Sequence, residues 1–390
     1  MNIAYPETLI NIIHIGKFSG PSGYATATRG YFEILRKNLK LNIKVINVTE
    51  GHYGMEPVNL NRHLLKSKKD TPKEYITLYH MQPGEKFLNE AIKETLIDIK
   101  SILNNSQKKI MLTAWEAVGF PYYWKSFFDK YVDELVTFCE FQSKNLSSYT
   151  GKKVYSIPHL VKAPQASNTV PSQKLRMLSM SEWSYRKGFD ILVQAFLCEF
   201  FEEKDVELTI KTYGVEESKE NIIRQIQKYK KSCGRHGELP KCVIKLWGEI
   251  VNPPQINTLY DNIDLYVSTT RGEGFGLTIA EALVRGKRAV VPAQGGHLDY
   301  IHSNNYFIKS RLETFRGTDW SANYSSEFKL IEPDFEDTRV KLRQAYNDFK
   351  NNKQEWANKQ KESQAFTRNY LEEETIKTKL EEVLWNQTGK

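Results

Sequence analysis

The sequence predicts an α/β protein with parallel sheets, arranged in two domains. Short apolar segments alternate with amphipathic segments from the N-terminus to about residue 330, a pattern typical of strands and helices in βα units. A chain of 390 residues is too long for one ordinary hydrophobic core and suits two domains of roughly 150 to 200 residues each. Residues 162–171 are polar, contain two prolines and precede an apolar strand, so they are predicted to form the linker.

The most informative stretch of the chain predicts a strand, a glycine turn and a helix in succession. Residues 264–269 are rich in branched and aromatic side chains, as in a buried strand of a parallel sheet. Gly274 and Gly276 permit a tight turn and the close approach of another group. Residues 277–285 have helical composition, and Gly286 stands where a helix C-cap glycine belongs.

This succession favours the binding of an anion. The backbone N–H groups of Gly276, Leu277 and Thr278 would point beyond the carboxyl end of the strand, where the helix dipole favours negative charge. Residues 289–292 then begin the next strand. The local pattern therefore predicts a phosphate site.

Two glutamates, Glu273 and Glu281, stand eight positions apart across the glycine turn. Carboxylates beside a phosphate site would repel the ligand unless they accept hydrogen bonds from neutral hydroxyls, such as those of a sugar or a ribose. The alternative is that Glu273 only caps a helix and Glu281 only lies on a solvated face. The strand, turn and helix around them, together with the following glycine pair at residues 295–296, favour the ligand site.

At these residues the chain resembles the retaining glycosyltransferases of glycosyltransferase family 4. Their Glu-x7-Glu pattern matches Glu273 and Glu281, and EGFGLTIAEAL is close to its usual setting. The resemblance implies the GT-B fold, in which two Rossmann-like, doubly wound parallel-sheet domains face a cleft. It further implies that Glu281 binds the nucleotide ribose, that Glu273 faces the transferred sugar, and that the turn holds the donor through Gly274, Phe275, Gly276, Leu277 and Thr278.

The resemblance also implies a domain plan. Residues 1–165 would form the acceptor-binding domain and residues 166–365 the donor-binding domain. After Pro333 the pattern is helical and strongly charged through Trp385. In the resembled fold the last helix, here within residues 366–390, crosses back onto the N-terminal domain.

A basic pair upstream of the glycine turn matches the family's diphosphate-gripping lysine. Residues 180–196 resemble the segment that opens the donor domain's first helix, and Lys187 is the matching lysine. The family's arginine five or six positions earlier is absent, because those positions hold Glu182 and Ser181. Arg186 is therefore the candidate for the second positive charge, since a guanidinium can bind phosphate oxygens in a fork. The alternative is an ordinary solvated Arg-Lys pair.

Further candidates rest on weaker similarity. Residues 245–270 resemble the segment before the glutamate pair, which would place Gly248 and Glu249 beside the nucleotide base. A glycine-rich loop, predicted to face the acceptor, follows the strand at residues 12–15 and precedes the helix at residues 25–35. Its candidate residues are Gly20, Gly23 and Tyr24.

Two candidates on the N-terminal side have equally plausible structural roles. His80 ends a predicted strand within residues 75–83 that resembles the family segment near the reacting sugar, although a lone histidine there is more often structural. Glu116 could face the acceptor, but an ordinary loop carboxylate is the simpler interpretation. Both alternatives remain open from the sequence.

Composition excludes several other classes of protein. No apolar run reaches the eighteen or so residues needed to span a bilayer, and the N-terminus lacks the features of a secretory signal, so a cytoplasmic location is expected. No metal motif appears, and the resemblance implies a metal-independent enzyme without a cofactor beyond its nucleotide-sugar donor. The four cysteines lack zinc-site or disulfide-framework spacing and are expected to be reduced: Cys139, Cys198, Cys233 and Cys242.

The net charge of +8 bears on partners. Scattered lysines most simply keep the protein in solution, and no motif for nucleic acid accompanies them. A carbohydrate or glycoconjugate acceptor is implied by the resemblance. Peripheral contact with an anionic membrane surface is a further possibility, through an amphipathic helix over residues 25–39.

The function expected from these residues is retaining transfer of a sugar from a nucleoside diphosphate to an acceptor hydroxyl of a glycan, lipid-linked or protein acceptor. The resemblance implies front-face attack, with the leaving phosphate taking the acceptor proton. Two alternatives stay open: a nucleotide-sugar epimerase of similar fold, and a non-catalytic subunit that binds sugar nucleotides. The second is suggested by the missing arginine at residues 181–182.

Overall fold

The chain folds into two compact α/β units. The computed structural model describes residues 9–20, 22–38, 40–48, 60–162, 172–212, 218–249, 253–315, 324 and 327–385. Unit 1 comprises residues 1–115, 120–160 and 371–390, and unit 2 comprises residues 116–119 and 161–370. Of the predicted linker, only Lys162 belongs to the described residues.

Unit 1 is built on a six-stranded sheet with strand order 2-1-3-4-5-6, in which every neighbouring pair is parallel. The strand next to one edge of this sheet carries Ile12, Ile13 and Ile15 without exposure to solvent, as expected where helices cover both faces of a parallel sheet. Its strands are β1 (Ile10–Gly16), β2 (Leu41–Asn47), β3 (Ile76–His80), β4 (Lys108–Leu112), β5 (Glu134–Thr137) and β6 (Val154–Ser156).

Unit 2 contains a second six-stranded sheet, again parallel throughout, with strand order 12-11-10-7-8-9. Its strands are β7 (Leu175–Met180), β8 (Val206–Lys211), β9 (Val243–Trp247), β10 (Leu265–Val267), β11 (Arg288–Pro292) and β12 (Tyr306–Ile308). A separate antiparallel pair is formed by β13 (Ser310–Thr314) and β14 (Lys329–Pro333).

Helices connect the strands of both sheets. Those of unit 1 are α1 (Gly23–Leu35), α2 (Glu85–Thr95), α3 (Ile99–Asn104), α4 (Tyr122–Tyr131) and α5 (Glu140–Thr150), joined by α12 (Glu373–Trp385). Those of unit 2 are α6 (Phe189–Glu199), α7 (Lys219–Ser232), α8 (Pro253–Asp261), α9 (Leu277–Val284), α10 (Phe335–Asn351) and α11 (Lys353–Tyr370). Both sheets therefore have the doubly wound α/β architecture that the sequence predicts.

The last helix belongs to unit 1 although it follows α11 in sequence. The Asn38 side chain donates to Glu381 Oε1 over 2.7 Å, and Lys108 Nζ donates to the backbone oxygen of Val383, also over 2.7 Å. Lys108 is buried and forms an ion pair with Glu134 at 2.7 Å. These polar contacts fix α12 against α1 and the sheet.

A short segment of the N-terminal half belongs to unit 2. Val118 and Lys329 exchange two backbone hydrogen bonds of 2.9 Å, which attaches residues 116–119 to β14. The sequence offers no local sign of this crossing, because the pairing joins residues more than two hundred positions apart.

The helix predicted to touch lipid offers no apolar face. Ser22 Oγ accepts from the N–H of Ala25 over 3.1 Å and starts α1 two residues before the predicted start. Its large apolar side chains, including Tyr31, Phe32 and Leu35, are buried inside the protein. The apolar residues are used in the core, so the basis for membrane contact through this helix is removed. Position 39, the predicted end, is outside the described residues.

No helix in the described part of the chain has both the length and the apolar character needed to cross a bilayer.

The four cysteines form no disulfide in the structure, yet the fold brings two of them together. Cys198 near the end of α6 and Cys233 after α7 have their sulfur atoms 3.1 Å apart. Nothing in their spacing along the chain indicates this contact.

Candidate functional site

The glycine turn before α9 has the conformation that the sequence predicts. Gly276 adopts φ +86°, a region that side chains rarely occupy, and α9 begins at the next residue. Tyr300 donates to the backbone oxygens of Phe275 and Gly276, both at 2.8 Å, and so holds the turn from the side. The amides of Leu277 and Thr278 belong to the first turn of α9, where backbone N–H groups lack intrahelical acceptors. Gly286, at φ +78°, follows α9 as the predicted C-cap glycine.

Glu281 is a partly buried carboxylate on α9. Its Oε2 atom lies 2.9 Å from the hydroxyl of Tyr260, which also lies 3.0 Å from the backbone oxygen of Thr278. Burial raises the pKa of Glu281, and the hydrogen bond from Tyr260 opposes that rise. The carboxylate is therefore held in place by Tyr260, and its contact with a ribose stays a prediction.

Lys187 and Glu273 form a buried ion pair. Lys187 Nζ lies 2.5 Å from Glu273 Oε1, and both side chains are less than 15% exposed, at 12% and 14%. Burial lowers the pKa of Lys187, as does the charge of Arg186. Burial alone would raise the pKa of Glu273, but the positive charges of Lys187 and Arg186 lower it overall. Two of the predicted residues, 86 positions apart, are thus in contact.

Arg186 is held by a second carboxylate. Its Nε atom lies 3.1 Å from Glu116 Oε1, and its Nη1 donates to the backbone oxygen of Gly272 over 2.7 Å. Burial acts to lower the pKa of Arg186, but the Glu116 charge raises it overall, so the guanidinium is positive. Glu116 thus lies in unit 2 beside the basic pair, and its contact with an acceptor stays a prediction.

A tight backbone crossing positions the basic pair. Gly188 adopts φ +68°, and a Cβ atom built on it would lie 2.0 Å from the backbone oxygen of Thr269. Thr269 Oγ1 in turn donates to the oxygen of Gly188 over 2.8 Å. The loop from β7 therefore crosses the end of β10 at a distance that only glycine permits, and this places Lys187 beside Glu273.

Three polar residues that the sequence analysis did not select support the turn. Arg271 binds both carboxylate oxygens of Asp190, at 2.9 and 2.8 Å, and also contacts Glu332 at 2.6 Å. Tyr266 donates to the oxygen of Met180 at 3.0 Å and to Thr278 Oγ1 at 2.7 Å, which joins the end of β7 to the start of α9. Tyr300, described above, is the third. Their only sequence-level sign is their position beside the Glu273 motif.

The remaining candidates of unit 2 lie in a different environment. The Glu249 side chain is 80% exposed and pairs with Lys219 at 3.3 Å, and Gly248 packs against the same lysine. Ser181 follows β7, where its N–H donates to the oxygen of Lys211 over 3.2 Å. The role of Gly248 and Glu249 beside a nucleotide base stays a prediction.

His80 ends β3 in unit 1 and is fully buried. Its Nδ1 lies 3.1 Å from Thr28 Oγ1, and its ring lies parallel to that of His14 with centroids 6.3 Å apart. Burial lowers the pKa of His80, followed by the effects of His14 and His159, so the ring is neutral. In this form of the chain a sugar cannot reach the ring without a rearrangement, and a role for His80 stays a prediction.

The predicted acceptor loop lies beside the same histidine. Tyr24 is the second residue of α1, and its ring centroid lies 5.8 Å from that of His80. Its hydroxyl accepts from the N–H of Ala114 over 3.2 Å. Gly20 adopts φ +95° and accepts from Arg29 Nη1 over 3.0 Å, while Gly23 is the first residue of α1. Position 21 of this loop is outside the described residues.

No group of three or more His, Cys, Asp or Glu side chains within the described ranges is arranged to hold a metal ion. The cationic side chains of the site are Lys187 and Arg186.

The two doubly wound sheets place the chain in the GT-B fold class of glycosyltransferases. Residues 174–314, which contain the basic pair and both glutamates, match the family model for Glycosyl transferases group 1. Unit 2 therefore carries a glycosyl transferases group 1 domain.

Two curated relatives share part of this sequence. The chain is 27% identical over 199 residues to the UDP-N-acetylglucosamine–peptide N-acetylglucosaminyltransferase GtfA subunit of Streptococcus agalactiae, a match that covers 47% of this chain. It is 27% identical over 122 residues to mannosylfructose-phosphate synthase of Agrobacterium fabrum, over 31% of this chain. The matches span only 34% and 26% of the lengths of these relatives.

The similarity in structure extends over nearly the whole chain. A glycosyltransferase from Rickettsia africae superposes with a TM-score of 0.62 at 15% identity, covering 97% of this chain and 100% of that protein. At this level of identity the likeness supports the fold alone.

Proposed function

We propose that this protein is a retaining glycosyltransferase that moves a sugar from a nucleoside diphosphate to an acceptor hydroxyl. The observation that carries the proposal is the buried ion pair of Lys187 with Glu273 beside the Gly276 turn. It joins a cation suited to a diphosphate, a carboxylate suited to a sugar and the first amides of a helix within one unit.

The leaving diphosphate presents the largest electrostatic demand of the reaction. As the bond between the anomeric carbon and the diphosphate oxygen breaks, negative charge grows on that oxygen. Lys187, Arg186 and the first amides of α9 supply positive charge and hydrogen-bond donors for it. These groups supply the positive charge that a divalent ion supplies in other enzymes, so the proposed reaction is independent of metal.

Binding of the donor would exchange one ion pair for another. In the structure Lys187 and Glu273 neutralise each other, and Arg186 and Glu116 do the same. A diphosphate that takes over Lys187 frees the Glu273 carboxylate to accept hydrogen bonds from sugar hydroxyls. Since both glutamate side chains are largely buried, they resist approach of the donor unless its phosphates bind the cations at the same time.

Glu281 is proposed to accept hydrogen bonds from the ribose hydroxyls. This partly buried carboxylate already accepts from Tyr260, and further lone-pair sites remain for a ligand. The acceptor oxygen would attack the anomeric carbon from the face that the diphosphate leaves. The acceptor proton would pass to the departing phosphate oxygen. Because attack and departure take place on the same face, the anomeric configuration is preserved without a protein nucleophile.

The curated relative from Streptococcus agalactiae, whose name specifies a uridine diphosphate donor, suggests the first donors to test. UDP-N-acetylglucosamine and UDP-glucose are therefore the starting compounds, with other nucleoside diphosphate sugars as a panel. The proposed acceptors are hydroxyls of glycans, lipid-linked sugars or proteins.

The test is to incubate the purified chain with each donor, with and without a mixture of glycan acceptors, and to analyse the products by mass spectrometry and NMR. Release of nucleoside diphosphate with an α-linked product from an α-linked donor supports the proposal. A changed sugar still attached to the nucleotide would identify an epimerase. Saturable binding without any turnover would identify a non-catalytic subunit, the alternative suggested by Glu182 in place of an arginine.

Two variants connect the activity to the site. Lys187→Ala and Glu281→Ala should each reduce turnover by about 100-fold or more, because each removes a charged contact that is proposed to hold the donor. Lys228→Ala is the matched control, since this lysine is exposed on α7. Activity equal to the wild type in both site variants would refute the assignment. Chelation with EDTA should leave the rate unchanged.

A further inference from the structure

A cavity of about 290 Å³ lies in unit 2 at the end of the sheet opposite the candidate donor site. Its wall includes Arg288, the first residue of β11, and Tyr306, the first residue of β12. The glycine turn, in contrast, follows the carboxyl end of β10. Since β11 has five residues, its two ends lie about 13 Å apart. The cavity is therefore separate from the donor site.

The floor of the cavity is formed by the buried side chain of Arg288. Arg288 is 1% exposed, and its guanidinium lies between the rings of Tyr306, at 4.3 Å, and Trp356, at 4.7 Å. Asp348, which also lines the cavity, forms a long ion pair with Arg288 at 3.8 Å and accepts from the Tyr306 hydroxyl over 2.6 Å. Burial accordingly lowers the pKa of Arg288.

The hydrogen bonds of Arg288 involve its two terminal nitrogens and leave Nε unused. Nη1 donates to the hydroxyl of Tyr306 over 2.6 Å, and Nη2 donates to the backbone oxygen of Asn304. Nε is buried and has no hydrogen-bond partner among the described residues. A buried cation with an unused donor beside an open cavity favours the binding of an anion.

The upper wall of the cavity adds further donors. Lys341 and Gln344 lie one turn apart on α10, and Ser303 precedes β12. Within the described residues these three side chains make no hydrogen bond or ion pair with the protein, so they are available to a ligand. Lys359 of α11 also lines the cavity but is already paired with Glu355 at 2.6 Å.

The size and chemistry of the cavity limit the ligand. Ligand sites usually enclose about 300–1,000 Å³, so this cavity of about 290 Å³ lies at the small end of that range and suits a small molecule. Arg288 and Lys341 supply positive charge for a dianion, whereas Gln344 and Ser303 suit neutral hydroxyls. A phosphorylated monosaccharide combines these two chemistries.

We propose that this cavity, defined by Arg288, Ser303, Lys341 and Gln344, is a second ligand site that binds a sugar monophosphate. The phosphate lies against Arg288 and Lys341, and the sugar hydroxyls contact Gln344 and Ser303. The site is independent of the proposed transferase chemistry, because it shares no residue with the donor turn.

The experiment uses the full chain and glucose 6-phosphate as the probe, measured by isothermal titration calorimetry and by thermal shift at constant ionic strength. The wild type should bind the probe with a saturable isotherm. Lys341→Glu should weaken binding by about 10-fold or more, because it replaces a cation with a carboxylate at the phosphate position. Lys341 is only partly buried, so this variant is expected to fold, and Lys341→Arg should restore binding.

Glu281→Ala separates this site from the donor site. It should keep wild-type affinity for glucose 6-phosphate while losing affinity for the sugar nucleotide. Equal binding of the probe by wild type and Lys341→Glu would overturn the proposal, as would loss of probe binding in Glu281→Ala alone. Inorganic phosphate and glucose should each bind more weakly than glucose 6-phosphate; equal affinity for inorganic phosphate would overturn the sugar part of the assignment.

Discussion

Glu116 Oε1 lies 3.1 Å from Arg186 Nε, and this ion pair joins a segment from the first half of the chain to the basic pair of unit 2. The backbone is equally close here, since a Cβ atom built on Gly272 would lie 2.8 Å from the oxygen of Glu116. Arg186 is the residue predicted to supply the second positive charge beside Lys187. The carboxylate of Glu116 therefore orients the cation on which the proposed diphosphate contact depends.

Glu116→Gln should lower the affinity for the donor while leaving the protein folded. The amide keeps the size of the side chain but removes the charge that positions Arg186, so we expect the donor KM to rise about 10-fold with a smaller change in kcat. Glu207→Gln is the matched control, since that side chain is 15% exposed, compared with 16% for Glu116, and pairs with Lys245. Steady-state kinetics on both variants test the expectation, and equal KM values would remove the positioning role of Glu116.

Tyr260→Phe should shift the pH dependence of donor binding. The Tyr260 hydroxyl donates to Glu281, and its loss leaves a partly buried carboxylate with one donor fewer, so the pKa of Glu281 rises further. A protonated Glu281 accepts ribose hydrogen bonds poorly, and affinity is therefore lost as the pH falls through this pKa. The acid limb of donor affinity should move to higher pH in the variant.

The comparison for this shift is Tyr75→Phe, a buried tyrosine of unit 1 whose hydroxyl donates to the backbone oxygen of Ile102 over 2.9 Å. Its acid limb should coincide with that of the wild type. Calorimetric titration with the donor's nucleoside diphosphate between pH 5 and 8 measures directly how the affinity falls on the acid side of the profile. If the Tyr260 and Tyr75 variants gave the same limb, Glu281 would not be the titrating group.

Gly188→Ala should strongly destabilise unit 2. Its positive φ and the overlap of the new Cβ with the oxygen of Thr269 together predict a loss of about 3 kcal/mol or more in the free energy of unfolding. Gly237→Ala isolates the backbone contribution, because Gly237 has φ +83° but no atom within 4 Å of the position that a Cβ would take. Chemical denaturation of both variants measures the difference, and equal losses would show that the Thr269 contact is relaxed in solution.

Acidification should destabilise unit 1 through its buried histidines. Burial lowers the pKa of His14 and of His159 to about 3, whereas an unfolded histidine has a pKa of about 6.5. Between these values the unfolded state binds more protons than the folded state, so the free energy of unfolding falls as the pH is lowered. Each such group contributes a slope of about 1.4 kcal/mol per pH unit.

His14→Leu should therefore reduce the loss of stability between pH 6.5 and 4.5, whatever its effect on stability at neutral pH. His236→Asn is the control, because His236 is exposed and asparagine tolerates its positive φ of 52°. Urea denaturation at several pH values gives the slopes. A slope for His14→Leu equal to that of the control would mean that His14 is already accessible to protons in the folded protein.

The sequence by itself determined the class of fold and the local form of the glycine turn. The period of apolar residues identifies β10 and α9, and the glycines at 276 and 286 adopt the positive φ angles that their positions predict. These features depend on neighbours in the chain, so composition and spacing are sufficient to find them. The first residue of α1 differs from the predicted one, because a capping side chain, here Ser22, determines where the helix begins.

The tertiary structure alone decided which side chains meet. It paired Lys187 with Glu273 and Arg186 with Glu116, and it placed Glu281 against Tyr260. It also enclosed Arg288 at the opposite end of the sheet. Such contacts join residues tens of positions apart, and their energies come from burial and geometry that only the packed sheet and helices create. No local pattern in the sequence carries that information.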